Sequence, residues 1–169
     1  TSSPVQGTLE LRRAIAERYR IDKGLDLNPA REILVTTGAQ EGLFLAMLAL
    51  VNPDDGVLIP DPRYSSYDQA IEAAGGRIVE VPTDAAHDFR LDADRLRSVI
   101  DQGAVLVFVN PNNPTGSLVS QAGVQAIAAV AREAGVAVIS DEIYESLTFD
   151  GQGVQSVMAS FSSWNGQKM

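Results

Sequence analysis

The sequence predicts an α/β fold built on a mostly parallel sheet flanked by helices. Three observations predict it. Strand-like and helix-like patterns alternate along the chain. Two apolar runs, Val105 to Val109 (VLVFV) and Val136 to Ser140 (VAVIS), lack the polar alternation of a strand with one wet face, as strands covered on both faces do. Polar, turn-forming clusters follow the strand-like runs, at the strand ends where such sheets place ligands.

Taken in order, Leu9 to Arg20 sets Leu11, Ile15 and Tyr19 on one helical face with charges elsewhere, and Lys23-Gly24 breaks the pattern. Ile33 to Thr37 (ILVTT) reads as a short β-branched strand. Gln40 to Val51 reads as a strongly apolar helix, closed by Asn52-Pro53-Asp54-Asp55-Gly56. Val57 to Pro60 is a buried strand, Ser65 to Ala74 a helix ending at Gly75-Gly76, and Arg77 to Val81 another strand. A loop carrying His87 follows, and Asp92 suits the N-cap of a helix running through Ile100. Ser120 to Ala134 is the next helix, ended by Gly135. Beyond Gly151 the pattern fades and the chain reads as loop. No internal repeat, low-complexity tract or linker stands out.

The chain has 169 residues, the size of one domain and enough to bury a core. Its 45% hydrophobic and 21% charged residues suit a soluble globular protein. No apolar run reaches the roughly 18 residues of a membrane span, and no signal-like stretch opens the chain. A membrane partner is therefore not expected. Cysteine is absent, which excludes disulfides and thiolate metal sites and fits a cytoplasmic location. No metal ligand set is assigned. The net charge of -9 argues against nucleic acid as partner. The only lysines are Lys23 and Lys168. The chain opens at Thr1 and stops at Lys168-Met169 without a closing element, and it reads as an internal piece of a longer one.

Four polar clusters sit at strand ends. Thr37-Gly38-Ala39-Gln40-Glu41 suits an anion, because a helix N-terminus offers unpaired N–H groups and a partial positive charge. Gly38 and Ala39 would let a phosphate approach the backbone, although a glycine before a helix also reads as a plain turn. Asp61-Pro62-Arg63-Tyr64 follows the next strand. In Asn110-Pro111-Asn112-Asn113-Pro114-Thr115-Gly116, the prolines stiffen the loop and Gly116 permits an unusual backbone angle. Such a loop either holds an Asn amide in one orientation or is a tight turn whose Asn side chains bond their own backbone. Asp141-Glu142-Ile143-Tyr144 sets a carboxylate at a buried strand end, where it needs a cation or a hydrogen-bond donor. The other reading is Asp141 capping a turn and Tyr144 covering the sheet edge.

Together these segments resemble the class I/II aminotransferases, the aspartate aminotransferase-like, fold-type I family that depends on pyridoxal 5'-phosphate (PLP). The match runs through Gly7-x-x-x-Leu11-Arg12, TTGAQEGL, DPRYSSY, VNPNNPTG and VISDEIYESLTFDG, nearly the whole chain up to about Gly151. The resemblance implies that residues 1–169 are part of the PLP-binding large domain of a fold-type I transferase, with the rest of that domain and the small domain missing. It implies roles residue by residue. Asp141 corresponds to the acid facing the pyridine nitrogen. Asn113 and Tyr144 correspond to the donors to the cofactor's phenolic oxygen. Tyr64 sits where many relatives stack a Trp on the cofactor face. Gly38, Ala39 and Gln40 lie at the phosphate cup. Glu142 reads as structural, Asn112 as shaping its loop, and His87 as part of a solvated turn. Trp164 has no assignable role.

No catalytic residue is assigned within the chain. The family's Schiff-base lysine lies in a Ser-x-Ser-Lys-like motif roughly 30 or more residues after the acid, which falls just past Met169. Ser160-Phe161-Ser162-Ser163 is similar to that motif but has Ser163 where the lysine belongs. Lys168 lacks the expected neighbours and reads as a surface lysine. The implied activity is transfer of an amino group from an amino acid to a 2-oxo acid, by a homodimer of the full-length protein; residues 1–169 alone are expected not to transaminate. A PLP-dependent carbon–sulfur lyase, synthase or decarboxylase of the same fold stays open. So does a PLP-binding sensor domain of a transcription regulator. A Rossmann-like dinucleotide domain is disfavoured, since no GxGxxG follows a strand.

Overall fold

Alternate residues of the apolar strands face opposite ways, and each set finds its own helical layer. Residues 4–149, 154 and 156–162 are described in a computed structural model of the chain. The strands are β1 (Gly56–Pro60), β2 (Arg77–Val81), β3 (Val105–Val109) and β4 (Ala137–Asp141). The helices are α1 (Leu9–Lys23), α2 (Ala39–Leu50), α3 (Ser66–Ala73), α4 (Ala93–Arg97), α5 (Gln121–Glu133) and α6 (Val157–Ser162). Leu58, Leu106 and Phe108 pack with Leu96, Val124, Ile127 and Val157, from α4, α5 and α6. Val57, Ile59, Val105, Val107 and Val109 pack with Met47, Tyr67 and Ile71, from α2 and α3. The period-2 pleat thus fills two cores from one sheet.

The sheet order is β2-β1-β3-β4 and every pairing is parallel. Parallel direction sends Pro60, Val81, Val109 and Asp141 to the same edge. The β3–β4 register runs from Val105 opposite Ala137 to Val109 opposite Asp141, so Asp141 closes its strand.

Three predicted strands stand where the sequence puts them. The fourth does so with a difference. It is an edge strand, and all five of its residues are only partly buried, because among the described residues no strand pairs with its outer side. The run Ile33 to Thr37 is not a strand. A strand needs a ladder neighbour; here Val35 N–H donates instead to the Gln6 carbonyl at 3.1 Å, and Leu34 is 50% exposed.

The helices depart from expectation in burial more than in position. In α1 the residue that is buried is Arg12, not the apolar stripe. Its guanidinium donates to the carbonyls of Gly7 (3.2 Å) and Pro29 (2.5 Å), which satisfies a charge that would otherwise be costly to cover. In α2 only Met47 is buried, and Phe44, Leu45, Leu48 and Leu50 stay exposed. The helix after Asp92 is shorter than expected. Asp92 caps it through Arg95 N–H at 2.9 Å, and a 3-10 turn at Ile100–Gln102 takes over after Arg97. The segment past Gly151 is not all loop. Helix α6 buries Val157 completely, and Arg132 lies over the Phe161 ring, 5.7 Å from its centroid. One buried apolar side chain and a cation–π contact anchor a helix too short to show a period. Ser163, Trp164 and Lys168 lie outside the described residues. No helix among the described residues is long and apolar enough to cross a membrane.

The layering makes a contrast testable by urea unfolding. Phe108→Ala, at 1% exposure, should cost about 3–5 kcal/mol. Leu34→Ala should cost less than about 0.5 kcal/mol. Equal costs would contradict the placement of residues 33–37 outside the core.

Candidate functional site

The edge that gathers the four strand ends also gathers the start of α3, which follows β1, and the start of α2, which no strand among the described residues precedes. A cleft of about 480 Å³ opens at this edge, within the range of small-molecule sites. All seven residues singled out in the sequence line it: Gly38, Ala39, Gln40, Tyr64, Asn113, Asp141 and Tyr144. Ser66 and Tyr67 line it as well.

Asp141 is fixed at both carboxylate oxygens. Oδ2 accepts the Tyr67 hydroxyl at 2.7 Å, and Oδ1 accepts the Ile143 N–H at 3.2 Å. A phenol, not a cation, thus supplies the partner that a carboxylate at this strand end requires. Burial, reinforced by the neighbouring carboxylate, pushes the Tyr67 hydroxyl far above the usual phenol range, so it stays a donor. Sequence reasoning missed Tyr67. The available signal was its place with Ala70 and Ile71 on one face of α3, together with the need of a buried tyrosine for a hydroxyl partner.

Asn113 reaches Tyr144 because its neighbours shape the loop. Asn110 Oδ1 accepts the Val119 N–H at 3.0 Å. Asn112 Nδ2 donates to Thr115 Oγ1 at 2.8 Å and to the Pro62 carbonyl at 3.3 Å. Gly116, at φ 69°, returns its N–H to the Asn112 carbonyl at 2.8 Å. Asn113 then donates to the Tyr144 oxygen at 3.2 Å. Having accepted there, Tyr144 keeps its own O–H to donate elsewhere.

At the opposite wall, α2 begins at Gly38 without a side-chain cap, so its first N–H groups lack intrahelical partners. Gly38 sits at φ 82°, an angle other residues resist, and a Cβ there would meet nothing within 4 Å. The backbone therefore stays open to the cleft. Gln40 donates to Ser66 Oγ at 2.8 Å, joining the starts of α2 and α3. Glu41 accepts the Thr37 N–H. The Tyr64 ring is half exposed and meets the Tyr67 ring edge-on, with centroids 6.4 Å apart at 90°.

The nearby cations are committed elsewhere. Arg63 is paired with Asp61, Asp68 and Glu80. Lys23 lines an adjoining cleft of about 440 Å³ that shares Asp141 and Ile143. Its ammonium bonds Glu142 and Glu145 and sits 4.7 Å from the Tyr19 ring centroid. Burial alone would lower its pKa, but the two carboxylates outweigh burial and raise it, so Lys23 is not a free amine. Glu142 also accepts from Ser140 (2.8 Å) and Ser156 (2.5 Å). His87 lies exposed on a 3-10 turn against Asp84, at 2.8 Å. No cluster of metal-ligating side chains occurs among the described residues.

The sequence matches the family model "Aminotransferase class I and II" over residues 1–163. It is 37% identical over 150 residues to aromatic-amino-acid aminotransferase 2 of Thermococcus litoralis, covering 88% of this chain and 39% of that protein. It is 43% identical over 149 residues to the probable N-succinyldiaminopimelate aminotransferase DapC of Mycobacterium tuberculosis, covering 87% of this chain and 38% of that protein. The chain thus spans about two fifths of the length of the curated relatives it matches. The fold superposes on the crystal structure of an aromatic aminotransferase from Pyrococcus horikoshii with a TM-score of 0.90 and 36% identity, covering 94% of this chain and 43% of that one.

The Lys23 cluster gives a pH signature. A pKa raised by folding adds stability below the unfolded value, about 10.4, and that stability is lost as pH rises through the folded value. Lys23→Met should therefore cost about 2 kcal/mol at neutral pH, and the gap from wild type should close in alkaline solution above that value. A gap that persists unchanged there, measured by urea unfolding, would contradict the pairing.

Proposed function

Since the chain belongs to the class I and II aminotransferases, we propose that its cleft holds PLP and that the whole protein transfers an amino group from an amino acid to a 2-oxo acid. One observation carries this reading: Asp141, Asn113 and Tyr144 share a single cleft with the uncapped start of α2.

The residues present fit that cofactor. The cleft volume of about 480 Å³ suits a group of its size. The open backbone at Gly38, Ala39 and Gln40 suits its phosphate, which a helix N-terminus binds through N–H groups and dipole. Asp141 accepts one bond at each oxygen, and a carboxylate has further lone pairs for a ring N–H. The Tyr144 O–H and the Asn113 amide suit a ring oxygen that carries negative charge. The exposed half of the Tyr64 ring suits a flat aromatic partner.

Each residue then has a task. The start of α2 binds and orients the phosphate. Asp141 keeps a proton on the ring nitrogen, because an anion beside it favours the protonated form. Tyr144 and Asn113 donate to the ring oxygen and stabilise its charge. When bound, the cofactor supplies the electron sink for the charge left when a substrate loses its α-proton. Lys23 takes no part, being tied to Glu142 and Glu145.

The covalent lysine, the arginine for the substrate carboxylate and the small domain are assigned to the remaining length of the protein. Residues 1–169 are part of its large domain. The exposed Phe44, Leu45 and Leu48 of α2 support a covering element or a second subunit, in keeping with a cytoplasmic homodimer. The relatives' names span aromatic amino acids, aspartate and N-succinyldiaminopimelate. The reading therefore extends to the substrate class: an α-amino acid with a 2-oxo acid.

The whole protein, loaded with PLP, should exchange amino groups between a panel of amino acids and 2-oxoglutarate or pyruvate. Asp141→Ala should lower kcat/KM at least about 100-fold. Bound PLP with no half-reaction on a broad amino-acid panel would count against the transfer activity.

A further inference from the structure

Tyr67 joins two walls of the cleft from behind. It is 3% exposed, and its hydroxyl meets a carboxylate 74 residues away in sequence, at 2.7 Å. Its ring edge braces Tyr64, with centroids 6.4 Å apart. A buried hydroxyl costs stability unless it is bonded, so packing alone would be met by phenylalanine. The partner of the hydroxyl is Asp141. The other carboxylate oxygen has a neutral backbone donor, Ile143 N–H, at the longer distance of 3.2 Å. Tyr67 therefore sets the carboxylate plane, and because burial and Asp141 hold its phenol protonated, it keeps the proton it donates to Asp141.

We propose that Tyr67 is a positioning residue for the cofactor ring, one that fixes the Asp141 carboxylate and the Tyr64 ring in a single frame and biases the shared proton toward the ring nitrogen. This rests on the PLP reading above. A hydrogen bond given to the charged form of an acid favours that form. The Tyr67 hydroxyl given to Asp141 Oδ2 at 2.7 Å therefore favours the proton between acid and ring lying on nitrogen. Without that donor the proton moves toward Asp141, and the Tyr64 ring keeps its brace, because the Tyr67 ring is unchanged.

The test uses the whole protein and pyridoxamine 5'-phosphate, labelled with ¹⁵N in its ring, as a probe that does not need a covalent anchor. Tyr67→Phe should raise the probe's dissociation constant about tenfold and move the ring ¹⁵N resonance toward the unprotonated position. A 3-fluorotyrosine at position 67, which keeps the shape and strengthens the donor, should move the resonance the other way; this comparison decides the matter if Tyr67→Phe does not fold. An unmoved resonance in folded Tyr67→Phe, or with fluorotyrosine in its place, would overturn the role of Tyr67 and leave the cofactor reading standing. Failure of the wild-type protein to bind the probe would overturn both.

Discussion

Four strands that all run one way deliver four chain exits to a single edge of the sheet. Everything proposed for this chain depends on that constraint. The exit of β1 leads to Tyr64, Ser66 and Tyr67, that of β3 to Asn113, and that of β4 to Asp141 and Tyr144. Helices that follow parallel strands begin at the same edge, so backbone N–H groups meet the side chains there. Tyr64 and Tyr144, 80 positions apart, thus share a cleft through strand direction, and the start of α2, which follows no strand among the described residues, joins them there.

Around the cleft, polar groups divide into those that hold the structure and those left with capacity. Asn110 Oδ1 accepts from Val119 and the Asn112 amide donates to Thr115 and to Pro62, which sets the loop so that Asn113 reaches Tyr144. Glu142 is occupied by Lys23 and two serines, whereas Asp141, its neighbour, faces the cleft. Arg63 is surrounded by three carboxylates. Left with capacity, among the described residues that line the cleft, are a carboxylate with spare lone pairs, a phenol with an uncommitted proton, an uncapped helix start and a half-exposed aromatic ring. That set is complementary to a flat, phosphorylated, protonated heterocycle, and less so to a neutral or purely anionic ligand.

Much of this was legible in the sequence, for physical reasons. VLVFV announces a strand buried on both faces, and β3 is one. Asp92 caps its helix as its side chain predicts. The polar clusters after the strands fall at the cleft because turn residues and parallel topology act together. Other features depend on long-range partners that local pattern does not carry. Ile33 to Thr37 has the β-branched composition of a strand but no ladder partner among the described residues. VAVIS looks covered on both faces but lies at the edge, since sheet order is not encoded in a strand's own residues. The importance of Arg12 and Lys23 rests on carbonyls and carboxylates brought in by folding. Tyr67 was overlooked because its hydroxyl finds its partner across 74 residues, while its ring reads locally as ordinary helix packing.

In the proposed holoenzyme the carboxylate closing β4 faces a heterocyclic nitrogen. A crystal structure of the whole protein grown with pyridoxal 5'-phosphate measures it directly. The ring nitrogen should lie about 2.8 Å from an Asp141 oxygen, with the phosphate against residues 38–40. A cofactor whose nitrogen points away from Asp141, or one lodged in a different cavity, would contradict it.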